Sequence, residues 1–491
     1  MTDRKKLARK LVLFAKERLG LGKLDSIYAE NVILACLHEP SPYEGELAYE
    51  VPELPDSLYE ELETALSELG SKDPHKEAVA IFGIITPRPD AVDETFHSLM
   101  KEDPFKATEY LLEVGRASGY YAETAIKKNL RWDATYEDGA SPLVVTINLS
   151  KPEKNNKDIA AALKAKSAAY PSCALCKENL GYEGGGKIPP RGTLRFVSIT
   201  LDSGPWYLQY SPYGYFSRHC IAFQDEHSPM KIDAHCFRSL LDFVDLFPRF
   251  FIGSNSDLPI VGGSILTHEH FQGGDKELPL FKAKKRKVIA HENGVEVAIL
   301  DFYDSVLLLE GKDKAAIAAL AERLLTAWRD HEDGKRHFAP IEKDGTCHQT
   351  FTPFASKEGK LYRFYLIFRC NSVNEEHPGG IYHAHEDKWA IKKEGIGLIE
   401  AAGLFVLPAR LKRQLALLEE GAQKGLEFAE LAKDNPDLRE FSDCYAHLEK
   451  GESVERYVNA ICRAILDDVA VYKNSKEDQE AFEAFVKENL R

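Results

Sequence analysis

The sequence predicts an α+β protein: two antiparallel-sheet halves, with a helical N-terminal domain before them and a helical C-terminal region after them. Three observations carry this expectation. Residues 1 to about 135 show helical periodicity, with Leu7, Leu11, Ala15 and Leu19 recurring every four residues on one face. From Pro142 onward, short runs rich in β-branched and aromatic residues alternate with turn residues. Finally, GGSILTHEH (Gly262 to His270) has an echo in GGIYHAHE (Gly379 to Glu386), as paired halves of one fold would produce.

Taken in order, the N-terminal domain is expected over residues 1–135, where DETFHSLMKEDPFKATEYLLEV continues the helical pattern with a break at Pro104. A first sheet half is expected over 136–278. It opens with the strand candidate LVVTINL and the basic turn SKPEKNNK. TLRFVSITL, WYLQYS and YFSRHCIAF follow, then an amphipathic helix in IDAHCFRSLLDFVDLFPRF. The second half, 279–407, begins with KVIAHENGVEVAILDF, whose Asn293-Gly294 pair reads as a hairpin turn. SVLLLEG precedes a helix in DKAAIAALAERLLTAWRDH with Asp313 as its N-cap. TCHQTFTPFA and KLYRFYLIFRCN then flank a KEGK turn. Residues 408–491 are charged and helix-rich.

The chain has 491 residues, enough for two or three packed units. Asp plus Glu number 78 and Lys plus Arg 63, a net charge of −15 that argues against general nucleic-acid or anionic-membrane binding. A locally basic pocket for a small phosphate ligand remains compatible with it. The opening MTDRKKLARKLVLFAKERLG lacks the apolar core of a signal peptide, and no apolar run approaches the roughly 20 residues of a membrane span. With nine cysteines and no export signal, the expectation is a reduced, cytoplasmic protein in which a close cysteine pair suggests metal before disulfide.

The most informative stretch is GSILTHEHFQGG, Gly263 to Gly274. Read as a strand, it places His268, His270 and Gln272 on one face and Glu269 and Phe271 on the other. The glycines around it, Gly262 and Gly263 among them, let backbone and ligand approach closely and can turn amides toward an anion. Such histidines serve either as metal ligands or as nucleophiles that take up a phosphoryl or nucleotidyl group. PSCALCKENLGYEGG adds Cys173 and Cys176, a C-x-x-C pair with no second copy in the chain. Any further ligands must be scattered histidines. His227 in FQDEHSPMK and His268 complete a set suited to Zn²⁺. Two unconnected core cysteines are the alternative.

DLPIVGGSILTHEHFQGG (Asp257 to Gly274) resembles the signature of the class II galactose-1-phosphate uridylyltransferases, members of the histidine-triad-like superfamily of nucleotidyl transferases and hydrolases. The likeness runs through most of the chain, including LPARL near Pro408. Thr267 departs from the small residue expected before the first histidine. The resemblance implies two histidine-triad-like sheet halves. It also implies exchange of a uridylyl group between hexose 1-phosphates, with UDP-glucose and galactose 1-phosphate as substrates and a homodimer as an admissible assembly. It makes His270 the nucleophile and Gln272 a hydrogen-bond donor to the phosphate. Asn255 and Ser264 resemble phosphate-contacting motif residues, and Lys151 and Lys154 are candidate phosphate cations or simply solvated lysines in a turn. Cys173, Cys176, His227 and His268 match the zinc ligands of some class I relatives, and His383 and His385 resemble the site of a second metal. Three rivals stand beside this reading: a hydrolase of the same superfamily, which typically has a histidine in place of Gln272; a transferase for another sugar phosphate or a dinucleotide; and a zinc-stabilised binding module.

Overall fold

The computed structural model describes residues 2–149, 170–185 and 188–490. They pack as two compact units: residues up to 127, 170–214 and 218–227 in the first, and 128–149, 215–217 and 228–490 in the second. The α+β class is as expected, with antiparallel ladders in both units.

The first unit is built on the helices Arg4–Arg18 (α1), Lys23–Cys36 (α2), Asp56–Glu68 (α3), Pro74–Ile85 (α4), Pro89–Met100 (α5) and Pro104–Ala117 (α6). The stripe Leu7, Leu11, Ala15 and Leu19 is buried in a core shared with Ile33, Leu62, Leu66, Phe82 and Ile85. Pro104 breaks the pattern as expected, standing at the first position of α6, where its missing N–H costs nothing, behind the N-cap Asp103. After these helices come the antiparallel strands Val197–Leu201 (β3), Gly204–Tyr210 (β4) and Cys220–Gln224 (β5). Arg195, just ahead of β3, staples them to the helices. Its guanidinium donates to the carbonyls of Gly83, Thr86 and Pro87 at the end of α4 and to those of Gly192 and Leu194.

The second unit carries the strand order β7-β6-β11-β12-β10-β9-β8, every neighbour antiparallel. These strands are Phe250–Ser254 (β6), His270–Asp275 (β7), Lys284–Glu292 (β8), Val295–Asp301 (β9), Val306–Gly311 (β10), Gln349–Glu358 (β11) and Leu361–Cys370 (β12). Helices Ala234–Leu246 (α7) and Lys314–Arg329 (α8) cover one face, where Phe237 meets Phe364 and Trp328 meets Phe368. Asp313 caps α8 through the amides of Ala315 and Ala316. Asn293 and Gly294, both at positive φ, form the β8–β9 turn. On the opposite face Phe251, Val306, Leu308, Phe354, Tyr365 and Ile367 join a second core layer. That layer includes a three-stranded sheet of Leu130–Ala134 (β1), Leu143–Asn148 (β2) and Leu404–Pro408 (β13), and the helices between Arg410 and Val469.

Along the chain the order strand, strand, strand, helix, strand, strand occurs twice: β3 to β5, α7, β6 and β7, then β8 to β10, α8, β11 and β12. The repeated order is what paired halves would produce, but the sequence echo does not mark corresponding positions. His270 opens β7, whereas Gly379 to Glu386 lies beyond the end of β12 and forms no strand. Two elements also fall outside their expected places. β1 is a strand inside the segment expected to be helical, and β2 pairs with β1 and, in parallel, with β13.

Candidate active site

The β6–β7 pair is registered by Ser254 opposite Phe271 and Gly253 opposite Gln272. Rows continue from Gly253 to Phe354 and from Phe354 to Tyr365, so His270 and Gln272 share the sheet face turned away from α7 and α8, and Asn255 follows the end of β6. Phe271 points to the other face and is buried. The structure corrects one expectation here. The strand begins at His270, so His268 and Glu269 precede it and strand alternation does not govern the His268 ring.

The His270 ring is 6% exposed. Its Nδ1 lies 2.8 Å from the His268 carbonyl oxygen, which can only accept, so Nδ1 carries the proton and Nε2 keeps its lone pair. Burial pushes the imidazolium down to about 4, which leaves the ring neutral near pH 7.

The connection over residues 255–269 folds back on itself, and this is what its glycines permit. A Cβ on Gly262 would stand 2.6 Å from the Ser256 carbonyl oxygen and 2.7 Å from that of Leu258. One on Gly263 would stand 2.5 Å from Asn255 Nδ2. Ile260 holds φ at 73°, a strained value for a β-branched residue. Asn255 is 4% exposed, and its Oδ1 accepts from Leu398 N at 2.9 Å. Ser256 Oγ donates to the Phe351 carbonyl at 3.1 Å and lies 2.8 Å from Thr352 Oγ1. Ser264 is exposed. Lys151 and Lys154 lie outside the described residues. Thr352 and Arg369, which support this loop from β11 and β12, carried no local signal in the sequence.

One ligand atom from each of Cys173, Cys176, His227 and His268 lies within 4.8 Å of the others, an arrangement that could hold a metal ion. Cys176 Sγ is 3.0 Å from His227 Nδ1 and 3.5 Å from Cys173 Sγ. Asn179 Nδ2 donates to the carbonyls of Cys173 and Cys176, and Lys177 pairs with Asp225 at the end of β5. These contacts fix the C-x-x-C turn to its strand. Hydrogen bonding with Cys176, and then burial, push the Cys173 thiol up, a state that a divalent cation would invert. Two sulfurs and two imidazoles match the tetrahedral preference of zinc.

His383 and His385 do not form a second such group; among the described residues they belong to no metal-ligand cluster. Off any strand, their rings go separate ways. His383 is buried with Nδ1 near the Ala384 carbonyl oxygen, while His385 stacks on His377 at 3.9 Å and approaches Asp468 at 3.4 Å.

The family model described as galactose-1-phosphate uridyl transferase, N-terminal domain, matches residues 30–229. That span includes three of the four clustered ligands and stops short of His268 to Gln272. Whole-chain relatives cover the rest. A galactose-1-phosphate uridylyltransferase from Clostridium acetobutylicum is 36% identical over 97% of this chain and 98% of its own. One from Streptococcus mutans serotype c is 38% identical over 96% of each chain. One from Latilactobacillus sakei subsp. sakei is 40% identical over 82% of each. With motif and full-length similarity in agreement, the chain belongs to the galactose-1-phosphate uridylyltransferase family.

Proposed function

We propose that the chain moves a uridylyl group from UDP-glucose to galactose 1-phosphate, giving glucose 1-phosphate and UDP-galactose through a uridylyl-His270 intermediate. The observation that carries this is the His270 ring, held by its Nδ1–H on the His268 carbonyl so that a neutral Nε2 is left as nucleophile. Nε2 attacks the α-phosphorus, a P–N bond forms, and glucose 1-phosphate departs with the electron pair of the broken P–O bond. A phosphate oxygen of galactose 1-phosphate then attacks the same phosphorus, and the P–N electron pair returns to Nε2. An uncharged nucleophile avoids repulsion by the phosphate oxygens, and splitting the exchange in two makes it ping-pong.

Gln272, on the same face, donates to the non-bridging oxygens, and the Asn255 amide does so from the neighbouring strand end. Ser264, the amides of Gly262 and Gly263, and Lys151 and Lys154 complete the phosphate contacts in this reading. Zinc on Cys173, Cys176, His227 and His268 would have a closed ligand set, and would supply a cross-link rather than chemistry. None of the nine cysteines is in a disulfide, which suits a reducing compartment such as the cytoplasm, and no described helix is long and apolar enough to cross a membrane.

Incubation with UDP-glucose alone, followed by peptide mass analysis, should find uridylate on His270. Addition of galactose 1-phosphate should discharge it as UDP-galactose. Release of UMP without UDP-galactose would instead make the protein a hydrolase, and an adduct on His268 would overturn the assignment of the nucleophile.

A further inference from the structure

Arg369, at the end of β12, is fully buried, a costly place for a guanidinium. Asp304, whose charge it feels, has both carboxylate oxygens without a hydrogen-bond partner, so no carboxylate bridge explains the arginine. Nε has no hydrogen-bond partner, and the two terminal nitrogens go to neutral oxygens. Nη2 donates to the Ile396 carbonyl at 2.8 Å, and Nη1 reaches Thr352 Oγ1 at 3.4 Å.

Both acceptors lead to Asn255. Two residues beyond Ile396, Leu398 N donates to Asn255 Oδ1. Thr352 Oγ1 is 2.8 Å from Ser256 Oγ, on the residue that follows Asn255. The amide is thereby held one way round, because the opposite orientation would set its NH₂ against the Leu398 N–H, donor against donor. Nδ2 then lies against Gly263, the position where a Cβ would crowd it.

We propose that Arg369 is a positioning residue for uridylyl transfer: by holding Ile396 and Thr352 it fixes the Asn255 amide with its Nδ2 donor toward the phosphoryl group on His270. This rests on the function proposed above.

The test is a double-mutant cycle on the rate of His270 uridylylation by UDP-glucose. Asn255→Ala should slow the step on the order of 10²-fold, as loss of one donor to developing charge does. Arg369→Lys, which keeps the charge but has one donor head, should slow it roughly tenfold with little change in KM. The double variant should be no slower than Asn255→Ala alone, and multiplicative slowing would overturn the proposal.

Should Arg369→Lys fail to fold, Leu398→Pro removes the amide donor at the first position of a short helical turn, behind an extended Gly397 at φ −83°, ψ −169°. It should slow the step and likewise be silent on Asn255→Ala. Crystal structures of these variants give a readout independent of activity: the Asn255 amide should turn, and an Asn255 unmoved in both variants overturns the proposal. Wild-type protein that forms no adduct would count against the reaction, while the crystal structures would still decide the positioning role.

Discussion

Two connections in the second unit do the same topological job at very different length. β11 passes into β12 through Gly359 and Lys360 alone, with Gly359 at φ 58° and nothing within 4 Å of where its Cβ would be. β6 reaches β7 only after residues 255–269. Both strand pairs are antiparallel and each follows a packed helix, so pairing does not require the longer path. What the longer path adds is Asn255 locked by Leu398, two glycines pressed on their own loop, a strained Ile260, and His268 brought to two cysteines. The difference teaches that one connection is kept to the minimum a hairpin needs, while the other carries the residues assigned above to holding the phosphate and the clustered His268.

The sharpest way to break this comparison is His270→Ala. Exchange between UDP-glucose and galactose 1-phosphate should fall by roughly 10⁴-fold or more, with an unchanged melting temperature. Retention of a tenth of wild-type turnover would remove His270, and the connection that delivers it, from the chemistry. Gly263→Ala should come next. Its Cβ would displace the Asn255 amide, and kcat/KM should drop on the order of 10²-fold while the fold survives; a variant as active as wild type would mean that the amide takes no part.

Cys173→Ser tests the anchoring of His268. Elemental analysis should find zinc in wild-type protein and little in the variant, and calorimetry should show melting several degrees lower, as follows from about 1–2 kcal/mol lost. Wild-type protein purified without chelator yet metal-free would leave the cluster as a hydrogen-bonded thiol–imidazole group only.

The shorter half carries a polar burden of a different kind. Burial pushes the Asp304 carboxyl up to about 7, well above its unfolded value of 3.8. The folded state therefore favours the protonated acid. That contribution is complete below pH 4 and is lost as pH rises through 7. Asp304→Asn should accordingly gain stability at pH 8, on the order of 2 kcal/mol, and little at pH 4, with the difference read from denaturant midpoints at the two pH values. Equal gains at both would show that Asp304 does not titrate in this range. The smallest effect belongs to the short turn. Gly359→Asn keeps a residue that tolerates positive φ and should cost under about 1 kcal/mol with full activity.

Much of this was legible in the sequence because it is local. The Asn293-Gly294 turn, the Asp313 cap, the break at Pro104 and the β-rich runs are each decided within a few residues, and each stands where the pattern put it. The cluster of Cys173, Cys176, His227 and His268 was legible because a C-x-x-C pair, scattered histidines and the family resemblance pointed to the same four residues. What failed was long-range. β2 finds its parallel partner in β13, and nothing in LVVTINL announces that choice. Alternation put His268 on the strand because a local rule cannot sense cysteines far away in sequence. His383 and His385 repeat the letters of the motif without the strand that would align them. Arg369 gave no signal at all, since Thr352 and Ile396 become its acceptors only once the chain has folded.

The turn at Gly359 and Lys360 has a practical use beyond what it says about the site. It joins two long strands, leaves the sheet register to be set by their many pairs, and has open space around its glycine. A reporter domain spliced there would meet no neighbour at the glycine and would enter at an exposed loop tip, where foreign sequence is best tolerated. The protein thus comes with a port at which a foreign domain can be carried without disturbing the strands it interrupts.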